Sequence, residues 1–290
     1  MTAVGVIGLG DIGRGVADAL QRAGHDLGVC DLRVEVTAPY ADSALIAAGP
    51  SLLGARSDVV VVAVVDDRQV LAVLDGSDGA LAGMARRSTV VILSTVSPST
   101  IESVAALASA RAIDVVDCGV SGGPAAAADG ALVAMVGGDP AVIERVRPVL
   151  DSFTSLVVHM GPLGAGLKAK LARNLVQYGS WLAAYEAQVL AEAAGIELSK
   201  LAEVIRESDK LIGGSSRLMF RPTVAPLAAD AHPGIVSAMA AGAALAHKDL
   251  EAALALGRSL DIELPLAAMT DARCDAVFGL EGRAGPEENR

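Results

Sequence analysis

Residues 4–13 read Val4-Gly-Val-Ile-Gly8-Leu9-Gly10-Asp11-Ile12-Gly13: a β-branched run, three glycines spaced GxGxxG, and then the start of a helix-forming segment. Each glycine has a physical task. The first permits a tight turn, the second lets the backbone approach a pyrophosphate, and the third lets helix and strand pack closely, with the helix N-terminus facing the phosphate. The spacing alone is a weak signal, since a tight structural turn also uses glycine. Here a strand precedes it, a helix follows it, and a second strand ends at Asp31, about twenty residues beyond the turn, which is the context of a dinucleotide fingerprint. A carboxylate at Asp31 can accept hydrogen bonds from the adenosine ribose hydroxyls and repels a 2′-phosphate, which favours NAD over NADP. Arg33 opposes that reading because it can reach a phosphate; the reading preferred is a solvated loop charge. The expected cofactor set is Gly8, Leu9, Gly10, Asp11, Ile12, Gly13 and Asp31, with Val64 and Val65 at the end of a later apolar run.

Through residue 161 short β-branched runs alternate with Ala- and Leu-rich stretches, the pattern of parallel strands joined by crossover helices. Strands are expected at 3–7, 27–31, 59–64, 89–93, 113–117, 132–136 and 155–159. The run Asp58-Val-Val-Val-Val-Ala-Val-Val65 is too continuously apolar to have a wet face, so it belongs in the middle of a sheet covered on both sides. This is the doubly wound, Rossmann arrangement. Beyond residue 161 the strand-like runs vanish. A helix of about thirty residues, 165–194, spans ~45 Å and is long enough to leave the first domain and found a second. The remainder reads as helical at 198–208, 235–258 and 264–278, with a Gly/Pro-rich break from 213 to 234 and a frayed tail over 281–290. The expected organisation is therefore α/β: a dinucleotide-binding domain over 1–161, then an all-α substrate or oligomerisation domain over 162–290 that begins with the interdomain helix. Close packing of so much alanine suggests a homodimer or homotetramer.

Composition removes other classes. Apolar residues are 52% of the chain and charged ones 20%, a globular balance. The formal charge of −11 and the absence of a basic run argue against nucleic acid. Three Phe, three Tyr and one Trp leave no rings for base stacking or a membrane-interface belt. No apolar run approaches the ~18 residues of a membrane span, and the N-terminus enters a strand without a leader pattern, so the expectation is a cytoplasmic protein. Cys30, Cys118 and Cys274 have no paired or ligand spacing and indicate neither a disulfide nor zinc.

Gly8-Leu-Gly10 through Ala23-Gly24-His25 to Asp31 resembles the start of the β-hydroxyacid dehydrogenases, the 3-hydroxyisobutyrate dehydrogenase family. Three further segments resemble it in the same order. Leu93-Ser94-Thr95-Val96-Ser97-Pro98 is similar to the family's turn beside the nicotinamide. Asp117-Cys-Gly-Val-Ser121-Gly122-Gly123-Pro is similar to its substrate-binding loop. Gly161-x-x-Gly164-x-Gly166-x-x-x-Lys170-x-x-x-Asn174 is similar to its catalytic helix, and Lys248-Asp249-Leu250 extends the likeness to about residue 266. The resemblance places Lys248 at the far wall of the cleft, near substrate and cofactor; a surface lysine paired with a carboxylate such as Glu251 is the alternative. Departures fall at Cys118-Gly119, where Ala-Pro is usual, at Arg173, in place of the first of two adjacent Asn residues, and at Ile12, where Met is common.

On their own chemistry, Lys170 and Asn174 stand four apart on one helix face, with Gly166 a turn earlier leaving room for a ligand. A desolvated Lys can give or take the proton of a reacting oxygen, and Asn can orient both that oxygen and the ammonium. The alternatives are an exposed helix lysine and an interhelical hydrogen bond. Lys168 lies off that face and reads as solvated. Backbone N–H groups at Gly122 and Gly123, with the Ser121 hydroxyl, can hold a carboxylate without an arginine, or form a plain turn. Ser94 and Thr95 contact the nicotinamide end, cap the helix after Pro98, or do both. Cys118 reads as a small buried residue, and His247 and Met239 as packing residues. These readings make an NAD-dependent oxidoreductase, with NADP not excluded, acting on a short β-hydroxy acid or its semialdehyde without a metal. An imine reductase using NADPH and a non-catalytic dinucleotide-binding protein are the other hypotheses.

Overall fold

The structure, a computed structural model, describes residues 2–219, 221 and 223–281. Of the tail expected to fray, 282–290 lie outside the described residues, as does Pro222 of the Gly/Pro-rich passage. The chain divides into two compact units, Met1–Asn174 and Leu175–Arg290.

The first unit carries eight strands: β1 Ala3–Ile7, β2 Asp26–Cys30, β3 Leu45–Ile46, β4 Val59–Val62, β5 Thr89–Ile92, β6 Asp114–Ser121, β7 Leu132–Gly137 and β8 Thr154–Gly161. They form one sheet in the order β3-β2-β1-β4-β5-β6-β7-β8. Every described pairing is parallel except β6 with β7, where Asp117 faces Gly137 and Gly119 faces Met135. The sequence reading expects a parallel sheet of seven strands, and two features differ from it. The antiparallel step arises because β6 runs on to Ser121 and the chain returns through one short helix, and β3 escapes notice because two exposed residues carry no periodic signal.

The helices of this unit are α1 Asp11–Arg22, α2 Val34–Thr37, α3 Pro50–Gly54, α4 Asp67–Leu74, α5 Ala80–Gly83, α6 Pro98–Ser109, α7 Gly123–Asp129 and α8 Pro140–Asp151, and the first turns of α9, Ala165–Ala193, join them. They cover both faces of the sheet, and β4 shows it most directly. Val59 and Val61 belong to the core under α1 and α8, and Val60 and Val62 to the core under α4 and α6, all four at most 4% exposed. Burying a valine on either side contributes ~1.5–3 kcal/mol, which fixes β4 as a central strand.

The second unit continues α9 and adds α10 Leu198–Ile212, α11 Pro233–Ser259, α12 Pro265–Ala272 and α13 Cys274–Phe278. The single helix expected over 264–278 is two, broken at Arg273. The buried Glu186 of α9 accepts hydrogen bonds from Leu266 N (2.6 Å) and Ala267 N (3.0 Å), satisfying two free donors at the start of α12. Close contact is made at Gly242, where a side chain would meet the Phe278 ring at 2.7 Å. His247 is not a packing residue: its Nδ1 lies 2.6 Å from Asp271 and its Nε2 3.6 Å from Asp275, tying α11 to α12 and α13. Those contacts, the Asp271 hydrogen bond first, raise its pKa. No helix among the described residues is long and apolar enough to cross a membrane.

Candidate active site

The turn between β1 and α1 is shaped by its glycines. Gly8 adopts a φ of +91°, and a side chain there would strike the Ala63 carbonyl oxygen at 2.6 Å. A side chain on Gly13 would meet the Gly8 oxygen at 1.9 Å, so this residue seats α1 on the turn. Nothing stands within 4 Å of the corresponding position on Gly10, and no side chain caps α1, so its first-turn N–H groups are open to an anion. Leu9 turns its side chain into the core, while its N–H donates to Asp31 Oδ2 at 2.7 Å. Ile12 is partly buried against the same core and Asp11 is exposed in the first turn of α1. Gly8, Gly10, Asp31, Arg33, Val64 and Val65 all line one cavity of about 460 Å³. Open backbone at a helix start, a cavity beside it and a carboxylate at the end of β2 fit a nicotinamide dinucleotide.

Arg33 is not the solvated loop charge of the sequence reading. Its Nε donates to Asp31 Oδ1 and its Nη2 to Oδ2, both at 3.1 Å, and its backbone N–H adds a third bond at 2.9 Å. Burial pushes the Asp31 carboxyl up, but these bonds, with that from Leu9, outweigh it and hold the pKa below the usual carboxylate value.

Ser94 departs from one of its two expectations, that of a helix cap. It caps no helix; its hydroxyl accepts from Val64 N at 3.0 Å and lies 3.4 Å from the Val62 oxygen, stitching the ends of β4 and β5 together. Thr95 is exposed, and Val65 is 81% exposed. Asp67, the first residue of α4, ties that helix to the start of α6: it accepts from Ser97 N (2.8 Å), Ser97 Oγ (2.6 Å) and Thr100 Oγ1, bringing the carboxyl down to about 2. No local signal marks Asp67, for its Ser97 and Thr100 partners lie 30 and 33 residues further along the chain.

One face of β6 carries Asp117, Gly119 and Ser121, since alternate residues of a strand share a side. Asp117, 1% exposed, accepts from Gly164 N and Leu167 N, both at 2.6 Å, and so caps α9. Its cross-strand partner must be glycine: a side chain on Gly137 would meet Asp117 Oδ1 at 2.3 Å and Ala165 N at 2.8 Å. Gly166 also differs from its sequence reading. The space it leaves is taken by the strands rather than by a ligand, for a side chain there would meet the Met135 oxygen at 2.3 Å and the Asp117 oxygen at 2.9 Å. One turn on, the stem of Lys170 lies on Gly119, where an added methyl would come within 2.5 Å of Lys170 Cβ.

Lys170 is therefore half-buried by the strand it lies on. Its ammonium has no hydrogen-bond or ion-pair partner among the described residues, and its pKa is lowered by burial first and by the nearby Arg173 charge second. Asn174 Oδ1 accepts from Arg173 at 3.4 Å. Ser121 is partly buried with no partner for its hydroxyl among the described residues. Gly122 is exposed and, with φ at +133°, takes a conformation closed to other residues. Lys168 is exposed, and Cys118 is fully buried, with burial and then the Asp117 charge pushing its thiol far up. Lys248 lies in the second unit, exposed and 3.1 Å from Asp249 rather than paired with Glu251. Sequence reasoning missed Asp117 as a cap, Gly119 as the lysine's seat, and Asp67. A lone carboxylate inside the apolar run Val115–Val120 is the signal for the first.

The glycine turn, the cavity beside it and the carboxylate at the end of β2 define a dinucleotide-binding protein of the Rossmann class. Comparison with known proteins narrows the class. Residues 3–161 match the NAD-binding domain of 6-phosphogluconate dehydrogenase, and residues 164–284 the NAD-binding domain of NADP-dependent 3-hydroxyisobutyrate dehydrogenase. An uncharacterised oxidoreductase of Mycobacterium tuberculosis is 39% identical over 96% of this chain and 93% of its own. The crystal structure of a candidate oxidoreductase from Mycobacterium avium superposes with a TM-score of 0.89 at 36% identity, covering 97% of this chain and 99% of that one. The 3-hydroxyisobutyrate dehydrogenase of Pseudomonas aeruginosa is 32% identical over 99% of this chain and 94% of its own. The chain belongs to the β-hydroxyacid dehydrogenase family, of the 3-hydroxyisobutyrate dehydrogenase type, and is an NAD(P)-dependent oxidoreductase. Imine reductases are similar at 19–21% identity, a likeness of fold alone.

Proposed function

We propose that this protein interconverts a short β-hydroxy acid and the corresponding semialdehyde with NAD, and that Lys170 carries the proton. The observation that bears most weight is the seat of Lys170: its stem held on Gly119, its nitrogen without a partner, its pKa lowered. Bound nicotinamide supplies the hydride acceptor in one direction and the donor in the other. In oxidation Lys170 takes the hydroxyl proton as the carbon loses hydride, and in reduction it returns that proton to the carbonyl oxygen. Both roles are helped by a pKa brought toward neutrality, and a positioned proton transfer is worth ~10²–10⁴-fold in rate.

The substrate carboxylate goes to Ser121, Gly122 and Gly123, where an unpartnered hydroxyl and exposed glycine backbone stand at the end of β6. Gly166 and Lys170 of α9 meet β6 at Asp117 and Gly119. Asn174, one turn beyond Lys170 on the same helix face, is suited to hold the reacting oxygen while the loop holds the acid. The related 3-hydroxyisobutyrate dehydrogenase is named for a substrate of this size and charge. Nothing in the chain favours an imine substrate beyond the shared fold, and a half-buried lysine with no partner among the described residues favours an enzyme over a protein that only holds a nucleotide.

The test is a panel of short β-hydroxy acids, α-hydroxy acids and cyclic imines, each with NAD and NADP, followed by absorbance of the reduced nicotinamide. The expected result is turnover of at least one β-hydroxy acid. Turnover of cyclic imines with none of the β-hydroxy acids contradicts the proposal.

A further inference from the structure

The carboxylate at the end of β2 is commonly what distinguishes NAD from NADP, through hydrogen bonds to the ribose hydroxyls. In this chain Asp31 is fully engaged already. An ionised carboxylate offers about four acceptor positions. Oδ1 is used by Arg33 N and Arg33 Nε, and Oδ2 by Leu9 N and Arg33 Nη2. The Asp31 side chain is only 8% exposed, whereas that of Arg33 is 53% exposed and lines the same cavity. Three of the four bonds therefore come from Arg33, and the two from its guanidinium can be released without moving the backbone. An ion pair with one member in water is weakly held, so opening it is a small demand on a binding ligand.

We propose that Arg33 is the residue that sets dinucleotide preference, by masking Asp31: it swings off the carboxylate when ribose hydroxyls bind there and turns to a 2′-phosphate when one is present. This rests on the assignment of the cavity to the adenosine half of a dinucleotide. Guanidinium is suited to the second role because its planar donors match a phosphate two at a time. Glu35 and Asp11 also act on this guanidinium. With Asp31 they make the surroundings acidic, which tilts the unmodified protein toward NAD without excluding NADP. The arrangement differs from an unmasked aspartate, which rejects a 2′-phosphate outright, and from an unpaired arginine, which prefers it.

The experiment measures equilibrium binding of NADH and NADPH by nicotinamide fluorescence, without substrate, in the unmodified protein, Arg33→Ala and Asp31→Asn. In Arg33→Ala the two acceptor positions are freed while the phosphate partner is lost. NADH affinity is expected to hold or rise up to about tenfold, and NADPH affinity to fall by tenfold or more. In Asp31→Asn the guanidinium is released, so NADPH affinity rises and NADH affinity falls. Arg33→Ala weakening both dinucleotides alike, or changing neither, overturns the proposal, as does Asp31→Asn shifting both in the same direction. Unmodified protein that binds neither dinucleotide defeats the cofactor assignment itself and this proposal with it. Matching thermal unfolding of the three proteins is the control that the changes are local.

Discussion

Gly166 shows how a single hydrogen can decide whether the start of α9 sits against β7. Alanine there gains about 1 kcal/mol of helix propensity. The new methyl, however, meets the Met135 oxygen at 2.3 Å and Gly137 N at 2.8 Å, both backbone atoms of a paired strand that cannot rotate aside. Overpacking of this kind costs ~1–3 kcal/mol or more and wins against the propensity gain. Gly166→Ala is thus expected to lower the unfolding midpoint and to reduce turnover by displacing Lys170, readable by thermal unfolding alongside initial rates; an unchanged midpoint would show that α9 does not pack this tightly on β7. The sequence makes the shared helix face of Lys170 and Asn174 legible through their spacing, because side chains four apart lie on one side. It misassigns the purpose of Gly166, since a missing side chain reads the same whether a ligand or a backbone fills the space. Arg33 is obscured for a similar reason, because sequence gives no hint that a loop arginine folds back on the carboxylate two residues before it.

Among the elements, α9 depends on β6 through one buried carboxylate. Asp117 satisfies two backbone donors of the first turn, and its removal leaves Gly164 N and Leu167 N buried without partners. Each such orphan costs ~1–3 kcal/mol, so Asp117→Ala is expected to destabilise the protein by roughly 2–6 kcal/mol in denaturant unfolding. A loss under about 0.5 kcal/mol would mean that the cap is not carrying the helix. The long helix itself is plain in the sequence, expected at 165–194 and found at Ala165–Ala193, because thirty residues without an interrupting proline leave little else. Its anchoring is not plain, for Asp117, Gly137 and Glu186 act through partners 20 to 80 residues away in the chain. The break at Arg273 and the two-residue strand β3 are invisible for the opposite reason: each is shorter than the period that would reveal it.

For the whole molecule, the doubly wound sheet follows from strand runs that bury on both faces, and the family from four motifs in a fixed order, each tied to a turn or helix start. The same order carries the proposed function: a glycine turn to admit a phosphate, a Ser-Gly-Gly turn at the end of β6 to take a carboxylate, and a lysine laid on the strand between them. The substrate is less legible, because the residues that would distinguish one short hydroxy acid from another are side chains of ordinary type at the edge of a site whose fixed parts are mostly backbone. The most direct test of the central claim compares Lys170→Ala with the unmodified protein on the best hydroxy acid found, measuring turnover together with dinucleotide affinity. The account predicts a rate lower by ~10²–10⁴-fold with dinucleotide affinity unchanged within a few-fold. Full turnover in Lys170→Ala would contradict it.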